Sequence, residues 1–458
     1  MAALISIAVF GIALLYIELT NSKKIQLPLA VVGLLVTLGL TVMQWNHPSS
    51  SFNNMAVTDN YSVAFNASIL LSTMFVVLLS AYYYEDVKQH VAEIMALMLF
   101  TVFGAFLITS FSNMIMLFLG IETLSIPLYV LAGSKKFSLR SNEASFKYFL
   151  MGAFASAILL LGITLVYGAS ATFQLSAISD YVNNTKQLPG IFYMGIILIL
   201  VGFSFKVAAA PFHFWTPDVY EGSPTLITAF MATVVKIAGF AAFYRLFSSA
   251  FSSIATFWEP LLWGMIILTL LISNFAALLQ KGVKRLLAYS SISHAGFLLL
   301  GIIALNKLSA GGIFYYTLAY SLATIPAFGV LILVKNHRNS DDSIDAFNGL
   351  AKKNPLLAIV MSVALLSMAG IPITAGFFAK YYIFVAAIDS GYILLTIFAV
   401  LAAVLGVFYY FRLLNAMFLK EGEAEKIKIP VVFGISLLIT TILTLAMGVF
   451  PDYIIKLL

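Results

Sequence analysis

Runs of roughly 17 or more mainly apolar residues, each long enough to cross a bilayer as a helix, follow one another from the start of the chain to its end. Lipid offers the backbone no hydrogen-bond partner, so such a run is stable there only as a helix that satisfies itself. The runs lie at 2–20, 26–45, 61–83, 91–109, 111–132, 145–169 and 190–221, then at 224–247, 254–280, 284–305, 309–334, 354–387, 391–418 and 429–450. They predict about fourteen crossings. A transmembrane barrel would show segments of about ten residues with alternating polarity, and the sequence has none. With 62% hydrophobic and 10% charged residues and a mean hydropathy of +1.01, a soluble globular fold is excluded. The expected fold class is an all-α integral membrane protein.

The net charge of +6 does not point to nucleic acid, because the basic residues follow topology and form no stripe. The odd-numbered loops hold Lys23, Lys24, Lys88, Lys135, Lys136, Arg140, Lys147, Lys281, Lys284, Arg285, Lys335, Arg338, Lys352, Lys353, Lys420, Lys426 and Lys428. The even-numbered loops hold only Lys186, Arg245 and Lys307. By the positive-inside rule the odd loops are cytoplasmic and both termini face the other side, a pattern that suits a bacterial cytoplasmic membrane. The first run lacks a basic leader and a small-residue cleavage site, so it reads as a retained crossing. With no cysteine, the chain can hold no disulfide, thiolate zinc site or cysteine-ligated iron–sulfur cluster.

Five ionisable residues lie too deep in their crossings to be helix-end residues. They are Glu122 in "MLFLGIETLSIPLYVLAG", Lys206 in "FSFKVAAAPFHFW", Lys236 in "ITAFMATVVKIAGFAAFYRLF", His294 in "RLLAYSSISHAGFLLLGIIAL" and Lys380 in "IPITAGFFAKYYIFVAA". Each costs at least about 2.5–3.5 kcal/mol to bury there, so such groups mark ion or proton routes more often than packing. The bland reading is a structural ion pair, for instance Glu122 with Lys206. Removal from water disfavours an ammonium and a nearby carboxylate favours it, so a lysine held between the two can load and release a proton. Histidine can relay through both ring nitrogens. Arg412 lies near a helix end, where its long stem can reach the interface.

Two crossings carry breaks beside their lysines. Pro211, Pro217 and Pro224 follow Lys206, and Gly370, Pro372 and Gly376 precede Lys380. Proline removes a backbone donor and clashes with the preceding turn. Helices 7 and 12 are therefore predicted to be broken, with Pro211 and Pro372 at the breaks. Transporters place ion sites at such breaks. The charged positions also recur. Glu122 to His294 spans 172 residues, Lys206 to Lys380 spans 174, and Lys236 to Arg412 spans 176. Five crossings separate each pair, which predicts two inverted five-helix repeats. The expected division is 1–90 for the first three helices, 91–250 and 251–420 for the two repeats, and 421–458 for the last helix.

The strings "FLGIETLSIPLYVLAG", "FKVAAAPFHFWTPDVYEGSPT", "KRLLAYSSISHAGFLL" and "SMAGIPITAGFFAKYY" resemble the antiporter-like membrane subunits of proton-pumping NADH:quinone oxidoreductase, respiratory complex I. The likeness spans most of the chain. It implies that Glu122 pairs with Lys206, that Lys236 and His294 join two half-channels, and that Lys380 is the lysine nearest proton release. Lysine at 380, where one sister subunit has glutamate, and an end seven residues past Pro451, where another continues into a lateral helix, narrow the match to one subunit type. The resemblance further implies no cofactor or metal in this chain. NAD, flavin, iron–sulfur clusters and quinone would belong to partner subunits, with neighbouring membrane subunits and the bilayer in direct contact and the quinone pool acting indirectly. Two readings stay open beside proton pumping: a subunit of a multi-subunit sodium/proton antiporter, and a scaffold that moves no ion.

Overall fold

The computed structural model describes residues 1–20, 23–84, 90–338, 341–422 and 425–458. Among the described residues, twelve continuous helices are long and apolar enough to cross a membrane. They occupy twelve of the fourteen stretches read from the sequence. The other two stretches hold pairs of shorter helices: Gly190–Lys206 followed by Trp215–Gly222, and Pro355–Ala369 followed by Ala375–Asp389. The fourteen expected crossings thus become twelve continuous helices and two broken pairs.

Two elements escaped a search for long apolar runs. A hairpin pairs Ser49–Ser51 with Ala56–Thr58, and a ten-residue helix runs over Leu175–Asn184. Both are too short to span lipid, and the helix buries only the Leu175, Ile178 and Val182 stripe. Several cations assigned to loops sit on helices instead: Lys147 on Leu139–Ser170, Arg245 on Lys236–Ala250, Lys284 and Arg285 on Val283–Ala304, and Lys335 on Ser309–His337. The first of these helices, at 32 residues, is about 48 Å long, so its charged first turns extend past the apolar core. Lys88 lies outside the described residues.

The order of helix types repeats. Val91–Ser110, Met114–Ala132 and Leu139–Ser170 are continuous, the 190–222 pair is broken, and Thr225–Ala250 is continuous. Ala255–Leu279, Val283–Ala304 and Ser309–His337 are again continuous, 355–389 is broken, and Ile393–Phe418 is continuous. The third helix is the longest in each set, at 32 and 29 residues.

Helices that are apolar on all sides fill the centre of a bundle. Val283–Ala304, Ser309–His337 and Thr225–Ala250 are buried over nearly their whole length, and Lys236 and His294 stand on two of them. The outer helices Ala2–Leu19 and Ile393–Phe418 expose large apolar side chains such as Ile5, Tyr16, Leu394 and Leu401. Polar ties hold helix ends in place. The Glu18 carboxylate accepts hydrogen bonds from the His90 and Ala92 amides at 2.7 and 3.2 Å, satisfying donors that the start of helix Val91–Ser110 leaves free. Asp59 caps helix Asn60–Tyr83 and takes two bonds from Arg245 Nη2, at 2.7 and 2.9 Å.

Candidate functional site

Lys206 is the last residue of its half-helix. Beyond it the backbone leaves the helical path: Ala208 takes φ +61°, the Ala210 amide donates to Thr269 Oγ1 at 2.9 Å, and Trp215 Nε1 donates to the Phe205 carbonyl at 3.0 Å. Side chains thus satisfy backbone groups that the break frees, as a break inside lipid requires. Pro211 lies within this break, as its chemistry predicts. Pro217 does not break anything, because it occupies the first turn of Trp215–Gly222, where a missing amide costs little.

The Lys206 ammonium donates to Ser125 Oγ at 2.7 Å, and the Ser125 hydroxyl donates to the Ile121 carbonyl at 2.5 Å. Glu122 lies three residues before Ser125, with Oε1 buried and without a hydrogen-bond partner. Among the described residues no salt bridge joins Glu122 to Lys206. The hydrogen-bond partner of Lys206 is thus a serine one turn along the same helix, and the Glu122 charge acts on the lysine from farther off.

Lys236 follows a single π-helical segment, Met231–Val235, a local widening that often marks functional sites in otherwise α-helical runs. Its side chain is 6% exposed. The ammonium donates to the Ser291 carbonyl and lies 5.2 Å from the centre of the Tyr320 ring, a contact that stabilises a cation. The break after Lys206 lies against this helix, since a Cβ on Gly239 would come 3.3 Å from Val207 Cγ1.

His294 is buried one turn beyond Ser291. Tyr316 Oη lies 2.7 Å from its Nδ1 and Tyr410 Oη 3.2 Å from its Nε2, so both ring nitrogens have a hydroxyl neighbour. Tyr316 and His294 also line a cavity of about 10 Å³ with Tyr320, Ser367 and Gly376. That volume is at the lower limit for one water, and the cavity reaches the break of the second pair.

Lys380 points at the end of the preceding half-helix and donates to the Ala369 carbonyl at 2.7 Å, where the helix dipole favours positive charge. It also lies 5.0 Å from the Phe297 ring centre. Gly370 closes that half-helix with φ +87°, and Ile373 takes φ +76°, so Pro372 stands in a turn of special geometry, as predicted. Arg412 stays outside this set: it is exposed and donates to the Leu278 carbonyl at a helix end.

Sequence reasoning singled out Lys206, Lys236, His294 and Lys380 and missed the neutral side chains and backbone groups they meet. Ser125, Ser291, Tyr316, Tyr320 and Tyr410 are uncharged; the tyrosines recur within apolar stretches, and the two serines carried no signal at all. It also passed over His213, which is 2% exposed in the first break with Nδ1 unpartnered. A second charged group lies at the helix ends. Lys147 meets Asp218 at 2.9 Å, and Arg285 meets Asp218 at 3.0 Å and Glu221 at 2.5 Å. Lys284 adds bonds to the Glu221 and Ser223 carbonyls. Cations from both five-helix sets therefore clamp the short helix Trp215–Gly222.

Two broken pairs, each set beside a lysine within an otherwise continuous bundle, define the class of antiporter-like membrane subunits. A family model described as NADH:quinone oxidoreductase/Mrp antiporter, transmembrane region, matches residues 111–406. The NADH-quinone oxidoreductase subunit N of Flavobacterium psychrophilum is 41% identical over 458 residues, covering 100% of both chains. The chain belongs to the subunit N family of NADH-quinone oxidoreductases. A chain in the structure of respiratory complex I from Thermus thermophilus with bound aureothin is 33% identical, with a TM-score of 0.85 and coverage of 99% and 98%. A chain of the Mrp complex from Dietzia sp. DQ12-45-1b, 20% identical with a TM-score of 0.89 and coverage of 100% and 95%, shares the fold.

Proposed function

We propose that the chain carries protons across a bacterial cytoplasmic membrane as a subunit of NADH:quinone oxidoreductase, driven by quinone reduction in partner subunits. The observation that carries this reading is the chemistry around the deep lysines. Lys206, Lys236 and Lys380 donate to a serine hydroxyl and two backbone carbonyls, and among the described residues none has a carboxylate within salt-bridge distance. A packing ion pair would place one there. An ammonium held only by neutral oxygens can give up its proton without stranding a buried anion.

The route runs from Lys206, beside the first break, to Lys236, His294 and Lys380, beside the second. Residues 91–250 and 251–420 act as inverted half-channels, flanked by helices within 1–90 and 421–458. NAD, flavin, iron–sulfur clusters and quinone reside in other subunits, and both termini face the non-cytoplasmic side. Moving one charge against the field costs roughly 2.3 kcal/mol per 100 mV, so the partner chemistry is obligatory. Sodium/proton antiport is the second reading, because the matching family model spans both classes; the deep charged set offers a sodium ion one carboxylate against three lysines.

The test is Lys206→Ala in the assembled complex in vesicles, with quinone-linked electron transfer and proton uptake measured together. Loss of both with normal assembly on a native gel is expected. Unchanged values would favour a scaffold, and sodium flux independent of redox turnover would favour the antiporter.

A further inference from the structure

The His294 imidazole has a hydroxyl at each nitrogen, and only one of the two faces the second helix break. Tyr316, at Nδ1, lines the small cavity that Ser367 and Gly376 close from that side. Tyr410, at Nε2, leads elsewhere. Its hydroxyl lies 2.5 Å from Ser290 Oγ, and Ser290 stands one turn before His294, toward Arg285 and Lys284 at the start of the same helix. Ser290 is 0% exposed, Tyr410 1% and His294 4%. Nothing in packing requires three polar groups in file at such a depth, because a hydroxyl buried in apolar surroundings is costly unless it is bonded.

We propose that Tyr410 is a proton-carrying residue, which makes His294 a junction of two branches: one from Lys236, the other through Ser290 and Tyr410. The proposal rests on the proton-conduction reading above and adds a branch to it. The bonds can all point one way. Ser290 O–H donates to Tyr410, Tyr410 O–H donates to Nε2, and Nδ1–H donates to Tyr316. In a hop along this file, Ser290 gives its proton to the Tyr410 oxygen while Tyr410 gives its own to Nε2. Nδ1–H then passes to the Tyr316 oxygen, whose former hydroxyl proton moves into the cavity toward the Lys380 break. Ser290 is reprotonated from its far side. Each hydroxyl loses one proton and gains one, and the ring ends in its other tautomer, which must revert before the next transfer. The reverse sequence carries a proton the opposite way.

A tether would explain the same contacts, so the test must separate a bond that holds from one that conducts. In the assembled complex in vesicles, Tyr410→Phe keeps the ring and removes the hydroxyl. The rate of quinone-linked proton uptake should fall roughly tenfold or more, as loss of a proton-transferring group does, with electron transfer falling in step. Replacement of Tyr410 by 3-fluorotyrosine keeps ring and hydrogen bonds and changes only the acidity of the phenol, and it should also alter the uptake rate. Tyr61→Phe is the control for loss of a buried phenol outside the file, because the Tyr61 hydroxyl donates to the Ala241 carbonyl at 2.9 Å; uptake should be unaffected. His294→Ala is measured alongside. Unchanged uptake in Tyr410→Phe with loss in His294→Ala overturns the branch and leaves the main route standing. Loss in Tyr410→Phe with a wild-type rate for the fluorinated residue makes Tyr410 a tether and also overturns it. Unchanged uptake in His294→Ala removes both readings.

Discussion

Lys236 donates a hydrogen bond to the backbone carbonyl of Ser291, one helical turn before His294. One turn after His294, Phe297 presents its ring to the Lys380 ammonium. A single buried helix thus carries, on successive turns, a contact to one lysine, a titratable ring and a contact to the next lysine. Helical spacing of three residues puts these positions on one face, and the proposed route between the two five-helix sets follows that face.

Groups acting in series fail together. Lys236→Ala and His294→Ala are each expected to lower quinone-linked proton uptake by roughly tenfold or more, and the double variant should be no worse than the more damaging single one. Such non-additivity is the signature of coupled residues. Uptake measured in vesicles for all three variants, normalised to assembled complex, checks it; additive losses would mean that the two residues serve independent routes.

Ser125 is the direct partner of Lys206, so Ser125→Ala removes an acceptor and leaves the lysine in place. A lost hydrogen bond to a charged group costs roughly 1.5–3 kcal/mol, a reduction of about tenfold or more in proton uptake, with electron transfer falling in step. Glu122→Gln, which touches no hydrogen bond to Lys206, should be the milder variant. Side-by-side rates order the two, and a more severe Glu122→Gln would place the carboxylate ahead of the serine in governing Lys206.

The parts of this architecture that rest on solvation were legible in the sequence. Long apolar runs gave twelve helices, and the cost of charge in lipid singled out Glu122, Lys206, Lys236, His294 and Lys380. Prolines 211 and 372 marked both breaks, because a missing amide has the same consequence in any surroundings. Local chemistry does not encode which neighbour a side chain meets. Ser125 beats Glu122 to Lys206 through the relative placement of two helices, and Tyr410 meets His294 from 116 residues away. The hairpin at 49–58 and the helix Leu175–Asn184 are too short for hydropathy to register.

The second break depends on two glycines. A Cβ on Gly376 would lie 1.7 Å from the Ser367 carbonyl oxygen, an overlap with backbone that cannot relax cheaply. Gly376→Ala should cost about 1–3 kcal/mol or more and reduce the amount of assembled complex on a native gel. Gly370 differs: its φ of +87° strains any other residue, and a Cβ there would meet the flexible Lys380 side chain at 3.0 Å. Gly370→Ala should assemble in reduced but measurable amount and lose proton uptake out of proportion, because it displaces the lysine. Equal losses of assembly and uptake would tie Gly370 to folding alone.

Asp59 and Arg245 join the cap of the third helix to the helix that carries Lys236. Burial pushes the Asp59 carboxyl up, but the charge and hydrogen bonds of Arg245, with bonds from Ser62, outweigh it and hold the carboxyl below its ordinary value of 3.8. A depressed carboxyl stabilises the folded state above the unfolded value, and that contribution is lost as pH falls through the lower folded one. The pair should therefore contribute a constant amount across neutral pH. With the Asp59 side chain 36% exposed, solvent screening keeps that amount on the order of 1 kcal/mol. Asp59→Asn should lower the thermal midpoint of the solubilised complex equally at about pH 6 and about pH 8, with the gap to wild type closing only below about pH 4. A gap that narrows between pH 8 and pH 6 would show that another group, titrating near neutrality, governs this junction.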